Sequence, residues 1–149
     1  MEIERKFTVD HIKWNLASKP EPHLIVQSYL SKNAACTVRV RIKDDKAFIT
    51  VKGKSIGISR SEFEYEIPIE DAQQIIQTLT DKTLTKYRYS IPCGRHLWEV
   101  DVFQGKLEGL IIAEIELSSE EETFESPEWV LKDVSDNIEF YNSRLIDKC

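Results

Sequence analysis

Apolar and polar residues alternate strictly along much of this chain, the pattern of strands whose two faces meet different surroundings. Eight segments carry it: Glu2 to Phe7, His23 to Ser31, Cys36 to Lys43, Lys46 to Gly53, Arg60 to Ile67, Leu84 to Ile91, His96 to Phe103 and Leu110 to Ser118. Asp44-Asp45 and Pro92-Cys93-Gly94-Arg95 fit hairpin turns between them, and Gln104-Gly105-Lys106 opens a longer turn. Such short links predict antiparallel neighbours. Helical spacing occurs around Val9 to Ala17, from Glu70 to Leu79 and from Val134 to Ile146. In the last stretch Val134, Ile138, Tyr141 and Leu145 share a face behind Ser135 as an N-cap.

The polar positions hold charges of segregated sign. A strand side chain repeats its face every second residue, so Glu2, Glu4 and Lys6 point one way and Ile3 and Phe7 the other. By the same parity Arg39 and Arg41 oppose Val38, Val40 and Ile42, and Thr50 and Lys52 oppose Ile49 and Val51. Glu62, Glu64 and Glu66 oppose Phe63, Tyr65 and Ile67, while Lys86, Arg88 and Ser90 oppose Tyr87, Tyr89 and Ile91. Glu99 and Asp101 oppose Trp98, Val100 and Val102, and Glu114 and Glu116 oppose Ile115 and Leu117. A solvated sheet face is the ordinary home for charges, but such faces intersperse acids and bases. Here the first, fifth, seventh and eighth segments are mostly acidic and the third, fourth and sixth mostly basic.

In an up-and-down barrel whose eighth strand closes against the first, the seventh, eighth and first segments make one contiguous acidic wall and the third and fourth a basic wall elsewhere on the ring. Like charges on neighbouring strands repel, so an acidic wall points to a bound cation and a basic wall to a bound anion. Carboxylate oxygens without His or Cys suit Mg²⁺ or Mn²⁺, and converging Lys and Arg suit phosphate. The pair describes metal-assisted chemistry on a polyphosphate. It requires the charged faces to point into a hydrated barrel and the apolar faces outward, beneath the helices.

Composition narrows the picture. The 149 residues are about one domain's worth, with no repeat or linker, so a single domain over 1–149 is expected. A net charge of −6 argues against a nucleic-acid-binding surface. Neither a signal peptide nor a membrane span is present in the pattern, so a cytoplasmic protein is expected. Cys36, Cys93 and Cys149 are far apart and read as reduced thiols. A homodimer is expected, because three helices are too few to cover the outward aromatics Phe63, Tyr65, Tyr87, Tyr89 and Trp98.

Glu2-Ile-Glu4-Arg-Lys6, followed in order by Arg39-x-Arg41, Lys52, Glu62-x-Glu64, Lys86-x-Arg88 and Glu114-x-Glu116, resembles the triphosphate tunnel metalloenzymes, the CYTH superfamily. The resemblance runs over nearly the whole chain. It implies an eight-stranded antiparallel closed β-barrel, a mainly β fold with about three flanking helices, acting on triphosphates with a divalent metal. Position by position it implies metal carboxylates at Glu2, Glu4, Glu114 and Glu116, and a phosphate-binding set of Lys6, Arg39, Arg41, Lys52, Lys86 and Arg88. Tyr29 is similar to a tunnel tyrosine that pairs with a lysine at Lys52's place, which makes both catalytic candidates. Glu62, Glu64, Glu99 and Asp101 share the inward parity, with a second metal, water positioning or balance of the basic wall as their alternative roles; Glu62 and Glu64 join the catalytic candidates and Glu99 and Asp101 the metal candidates. Arg60 and Lys43 share the charged parity near strand ends, where rim positions are expected. The implied reaction is hydrolysis of the terminal phosphoryl group, with inorganic tripolyphosphate as first choice. An adenylate cyclase is the alternative within the family, then a thiamine or nucleoside triphosphatase; a non-catalytic polyphosphate-binding module is the alternative outside enzymes.

Overall fold

A computed structural model of residues 1–149 shows where the alternation leads: one antiparallel sheet of ten strands curled so that the charged parity faces inward. In chain order the elements are β1 (Glu2–Val9), α1 (His11–Leu16), β2 (His23–Asn33), β3 (Cys36–Lys43), β4 (Lys46–Gly53), β5 (Ser59–Arg60) and β6 (Glu62–Ile67). There follow α2 (Ile69–Leu79), β7 (Leu84–Cys93), β8 (His96–Phe103), β9 (Ile111–Glu116), β10 (Val130–Asp133) and α3 (Asn142–Leu145). Asp44 and Gly94 supply the positive φ that their tight hairpins need. No helix is long and apolar enough to cross a membrane.

The strand order is β10-β1-β9-β8-β7-β2-β3-β4-β6, with β5 paired to β1. This corrects the up-and-down expectation. Chain neighbours β1 and β2 are not sheet neighbours, nor are β6 and β7; α1 and α2 make those crossings instead. The expected pairing of the last long strand with the first is present, as Glu4 opposite Glu116 and Lys6 opposite Glu114. A closed barrel of eight strands is not what forms. β6 has no ladder to β1, and the seam is bridged where Ser59 and Arg60 pair with Ile3 and Glu2 and Glu4 N donates to Ile58 O at 3.3 Å. The expected fifth strand is split because its start follows β1 while its remainder, from Glu62, follows β4. β10 went unpredicted: its four residues are too few to show a period, and it is held by pairing with Phe7 and Val9.

Three apolar clusters fix this sheet. Outside β1, β8 and β9, Trp98, Trp14, Trp129 and Phe7 are buried beneath α1 and the segment after β9. Trp14 meets Trp129 edge-on at 5.2 Å and Trp98 meets Phe124 at 5.7 Å, geometry aromatic quadrupoles favour. Trp98 and Tyr89, expected to need a partner subunit, are thus covered within the chain. Outside β3 and β4, α2 lays Ala72, Ile75 and Ile76 over Val40 and Ala47.

The third cluster lies inside. Leu84, Phe103 and Ile112 continue the inward rows of Lys86, Asp101 and Glu114, and Leu107, Leu145 and Ile146 pack on them. The chain's end therefore closes one end of the barrel interior. The helix expected over Val134 to Ile146 does not form; only Asn142–Leu145 is α-helical, flanked by 3₁₀ turns at Ile138–Phe140 and Ile146–Lys148. Local competition is the reason: the Asn137 side chain accepts from Glu139 N, and Tyr141 is extended. Ser135 caps nothing, since its Oγ accepts from Lys6 N at 2.9 Å.

If the chain's end is part of the core, Leu145→Ala lowers unfolding free energy by about 2–5 kcal/mol in urea titrations, the usual loss for a buried leucine. A change near zero would show that residues 141–149 are an appendage.

Candidate active site

The inward rows of β1, β3, β4, β6 and β9, with contributions from β5, β7 and β8, enclose a cavity of about 200 Å³. Seven cations line it, Lys6, Arg39, Arg41, Lys43, Lys52, Arg60 and Arg88, against seven carboxylates, Glu2, Glu4, Glu62, Glu64, Glu99, Glu114 and Glu116. Its only aromatic members are Tyr29 and Tyr141. A space this polar binds by charge and hydrogen bonding rather than by apolar contact.

Most of the ions are matched. Lys6 Nζ lies 3.0 Å from Glu114 and 3.8 Å from Glu4. Lys52 Nζ lies 2.9 Å from Glu2, with Arg60 3.7 Å from the same oxygen. Lys52 is thus held by Glu2, and the pairing with Tyr29 is not made, although both line the cavity. Glu64 accepts from Thr50 Oγ1 at 2.8 Å and stands 3.6 Å from Arg41.

Lys43, near the end of β3, and Arg39 make no ion pair, and of the two Arg39 is the buried one. It is 8% exposed, forms no ion pair, and its buried Nε has no hydrogen-bond partner; the Nε of neighbouring Arg41 is also unpartnered. Burial, with the charges of Arg39 and Arg88, pulls Arg41 down to about 10. Buried cations short of anions are costly unless a ligand supplies the anion.

Across the cavity the imbalance has the opposite sign. Glu4 opposes Glu116 in register, and Glu99 opposes Glu114. Burial and then the Glu114 charge push Glu4 up to about 7. Burial also raises Glu2 and Glu116, with Glu62 adding to the first and Glu2 and Glu99 to the second. Glu114 goes the other way: burial alone would raise it, but Lys6, Arg88 and Lys86 hold it well below the usual carboxylate range. No group of three or more acidic, His or Cys side chains is gathered in readiness for a metal ion. The donor chemistry still fits one, because the set is all oxygen and three of its carboxylates lack enough positive charge.

Two expected ligands do not reach the cavity. Asp101 is fully buried, takes Arg88 Nε at 2.8 Å and Nη2 at 2.9 Å, and lies 2.7 Å from Lys86 Nζ. Burial would raise its carboxyl, but Arg88 and Lys86 hold it at about 2. Lys86 is likewise fully buried, bonded to Asp101 and to Asn142 Oδ1 at 3.0 Å. Burial and the Arg88 charge pull Lys86 down to about 7 against the attraction of Asp101. Both residues support Arg88, whose Nη1 reaches Glu99 at 3.3 Å and which does line the cavity. Their inward parity was correct; their depth was not visible, because Phe103, Leu84 and Ile112 close that end.

The other expected residues all line the cavity, and Arg60 and Lys43 belong to its wall. Thr37, Tyr141, Asn142 and Ser143 were missed. Thr37 shares the parity of Arg39 and was findable; the other three arrive through tertiary packing of the chain's end.

A model of the CYTH domain matches residues 1–145. An inorganic triphosphatase of Acetivibrio thermocellus is 42% identical over 146 residues, 97% of this chain and 92% of that protein. An inorganic triphosphatase of Nitrosomonas europaea is 31% identical over 153 residues, 97% of this chain and 95% of its own. Among solved structures, the crystal structure of an inorganic triphosphatase superimposes with a TM-score of 0.68 at 27% identity, covering 98% of this chain and 94% of that one.

Glu4→Gln tests the acidic side. Ionising Glu4 costs more in the fold than in the unfolded chain, so its contribution to stability falls as pH rises from 4.5 to about 7. At pH 8 with EDTA the variant should be more stable than the wild type by roughly 1–3 kcal/mol. Saturating Mn²⁺ should reverse the order, since a cation held by the fold stabilises it by mass action. Equal Mn²⁺-induced melting shifts in both proteins would remove Glu4 from the cation site.

Proposed function

This chain belongs to the CYTH domain family, and from that premise we propose that it is an inorganic triphosphatase, hydrolysing the terminal phosphoryl group of inorganic tripolyphosphate with a divalent cation, Mg²⁺ or Mn²⁺. The observation that carries the reading is Arg39, a buried guanidinium with no anion of its own, beside an under-partnered Arg41. The two relatives carrying the name inorganic triphosphatase support it.

Arg39 and Arg41 offer forked donors to non-bridging phosphate oxygens, and Arg88 is held in place for the same task by Asp101. Lys6 and Lys52 add point charges. Both already touch carboxylates, so the substrate shares them instead of meeting bare ammonium groups. Glu2, Glu4, Glu114 and Glu116 would hold the cation, which when bound neutralises charge developing on the terminal phosphoryl oxygens. Glu62 and Glu64, opposite Lys52 and Thr50 in register, would orient an attacking water in this reading. Catalysis is then chiefly positioning and fixed electrostatics.

The substrate choice rests on what the wall lacks. Adenine or thiamine wants an apolar or aromatic platform, and this cavity offers only Tyr29 and Tyr141 among charged and hydroxyl-bearing neighbours. A cytoplasmic location accords with Cys36, Cys93 and Cys149 all being free thiols, and neither nucleic acid nor membrane is a partner in this reading. Phe63 and Tyr65, 57% and 61% exposed on the edge strand β6, which pairs with β4 and leaves its other side open, carry the case for a homodimer.

Phosphate release in Mg²⁺ or Mn²⁺ should be faster with tripolyphosphate than with ATP or thiamine triphosphate. ATP turned over equally well, or cyclic AMP as the main product, would overturn the choice; tripolyphosphate bound but not cleaved would leave a binding module.

For the homodimer, sedimentation at micromolar concentration should give twice the 17.3 kDa chain mass. A single monomeric species would dispose of it.

A further inference from the structure

One wall of the cavity does not come from the barrel strands. Tyr141, Asn142 and Ser143 reach it from the end of the chain, and their backbone is pinned by the burial of Leu145 and Ile146 in the internal apolar cluster. Tyr141 spends its hydroxyl proton on Ser135 O at 3.3 Å, whereas the amide of Asn142 is fixed by its oxygen and keeps its donors.

Asn142 Oδ1 accepts from Lys86 Nζ at 3.0 Å. Lys86 is fully buried and its other partner is the Asp101 carboxylate at 2.7 Å, which only accepts. Protonated or neutral, the Lys86 amine has an N–H for each of these acceptors. Beside the Asp101 carboxylate Lys86 is held as an ammonium, which only donates, so turning the amide over would set Nδ2 donors against its N–H and leave Lys86 with one partner fewer in a place water does not reach. The orientation is therefore locked from behind, by the network Lys86–Asp101–Arg88.

The consequence falls at the other end of the amide. With Oδ1 committed, the two Nδ2 hydrogens point away from Lys86, and the bond to Lys86 is the only one the Asn142 side chain makes. Asn142 lines the cavity. Resting on the triphosphatase reading above, we propose that Asn142 is a substrate-binding residue, whose Nδ2 donates a hydrogen bond to a phosphate oxygen at the closed end of the cavity. A neutral donor is apt there. It adds an N–H for an oxyanion without adding an eighth cation to a wall already carrying seven. It also means that substrate, Asn142, Lys86, Asp101 and Arg88 form one hydrogen-bonded chain joining the end of the polypeptide to the phosphate site.

Two substitutions separate this role from mere support of Lys86. Asn142→Ala removes both the acceptor and the donor. Asn142→Asp keeps, and strengthens, the acceptor for Lys86 while replacing the donor with an oxygen that repels phosphate. Tripolyphosphate binding is measured by calorimetry in EDTA, KM and kcat in Mg²⁺, and melting on the apo-proteins. Asn142→Ala should weaken binding and raise KM by roughly ten- to a hundredfold, the range for a hydrogen bond to a charged group. Asn142→Asp should weaken binding at least as much, yet melt at or above the wild-type temperature. A residue that only supports Lys86 gives the reverse order, with Asp near wild type in binding and Ala impaired. Wild-type affinity and KM in Asn142→Asp would overturn the inference. Wild-type protein that binds tripolyphosphate but releases no phosphate would instead defeat the hydrolysis reading, while the Kd values of the two variants still decide the place of Asn142.

Discussion

A charge taken out of water must meet an opposite charge or a set of hydrogen bonds, and this barrel turns fourteen charged side chains toward one small cavity. Everything else is arranged around that constraint. The pairs Lys6–Glu114, Lys52–Glu2 and Arg88–Asp101 each match a cation from one strand with a carboxylate from another. Two of these pairs stand opposite one another on neighbouring strands, and Lys52–Glu2 reaches from β4 to β1, which share no ladder. Charge pairing therefore ties the interior together where an ordinary small barrel would use leucine and valine. Apart from the cluster of Leu84, Phe103 and Ile112 that fills one end, the apolar strand residues are displaced to the outside, and α1, α2 and the segment after β9 are needed to cover them. Because the sheet is inverted in this sense, its helices are structural cover and its core is the site.

The matching is incomplete in a patterned way. Arg39 and Arg41 leave an excess of positive charge on the β3 side, and Glu2, Glu4 and Glu116 leave an excess of negative charge near the β1–β9 seam. If stability alone governed the interior, these residues would sit nearer one another. Held apart across a cavity, they define a field running from the basic wall to the acidic one. A polyanion and a divalent cation entering together satisfy both ends at once, and neither ligand alone would. This is preorganisation: the repulsion is already built into the fold before the ligands arrive.

Parity was legible in the sequence because it needs only the two-residue period of a strand. Arg39-x-Arg41, Glu62-x-Glu64 and Glu114-x-Glu116 could be assigned to the inward face without knowing which strands touch. Adjacency was not legible. Nothing local distinguishes a hairpin meander from the order actually formed, in which β7 pairs with β2 through contacts such as Ile25 opposite Lys86. Depth was not legible either. Lys86 and Arg88 have the same parity and similar chemistry, yet only Arg88 reaches the cavity, because the row ends in Leu84 and meets the chain's end. The helical spacing of Val134 to Ile146 misled for a related reason: its apolar residues answer to two separate surfaces, Val134 beside β1 and Leu145 inside the barrel.

That last segment also sets when the site exists. Ser135 Oγ accepts from the backbone of Lys6, a contact spanning 129 residues, and Tyr141 lies 5.7 Å from the Lys6 ammonium. Asn142 and Lys86 are joined across 56 residues. These long closures cost conformational entropy that the burial of Leu145 and Ile146 must offset. A chain with every strand in place but its end undocked would present Lys86 and Asp101 to water and leave the barrel open at both ends. The charged rows would be present, but the water exclusion that strengthens their fields would not. The final residues, which bring no charged group to the cavity, thereby decide whether the strand charges act as a site or as a wet surface.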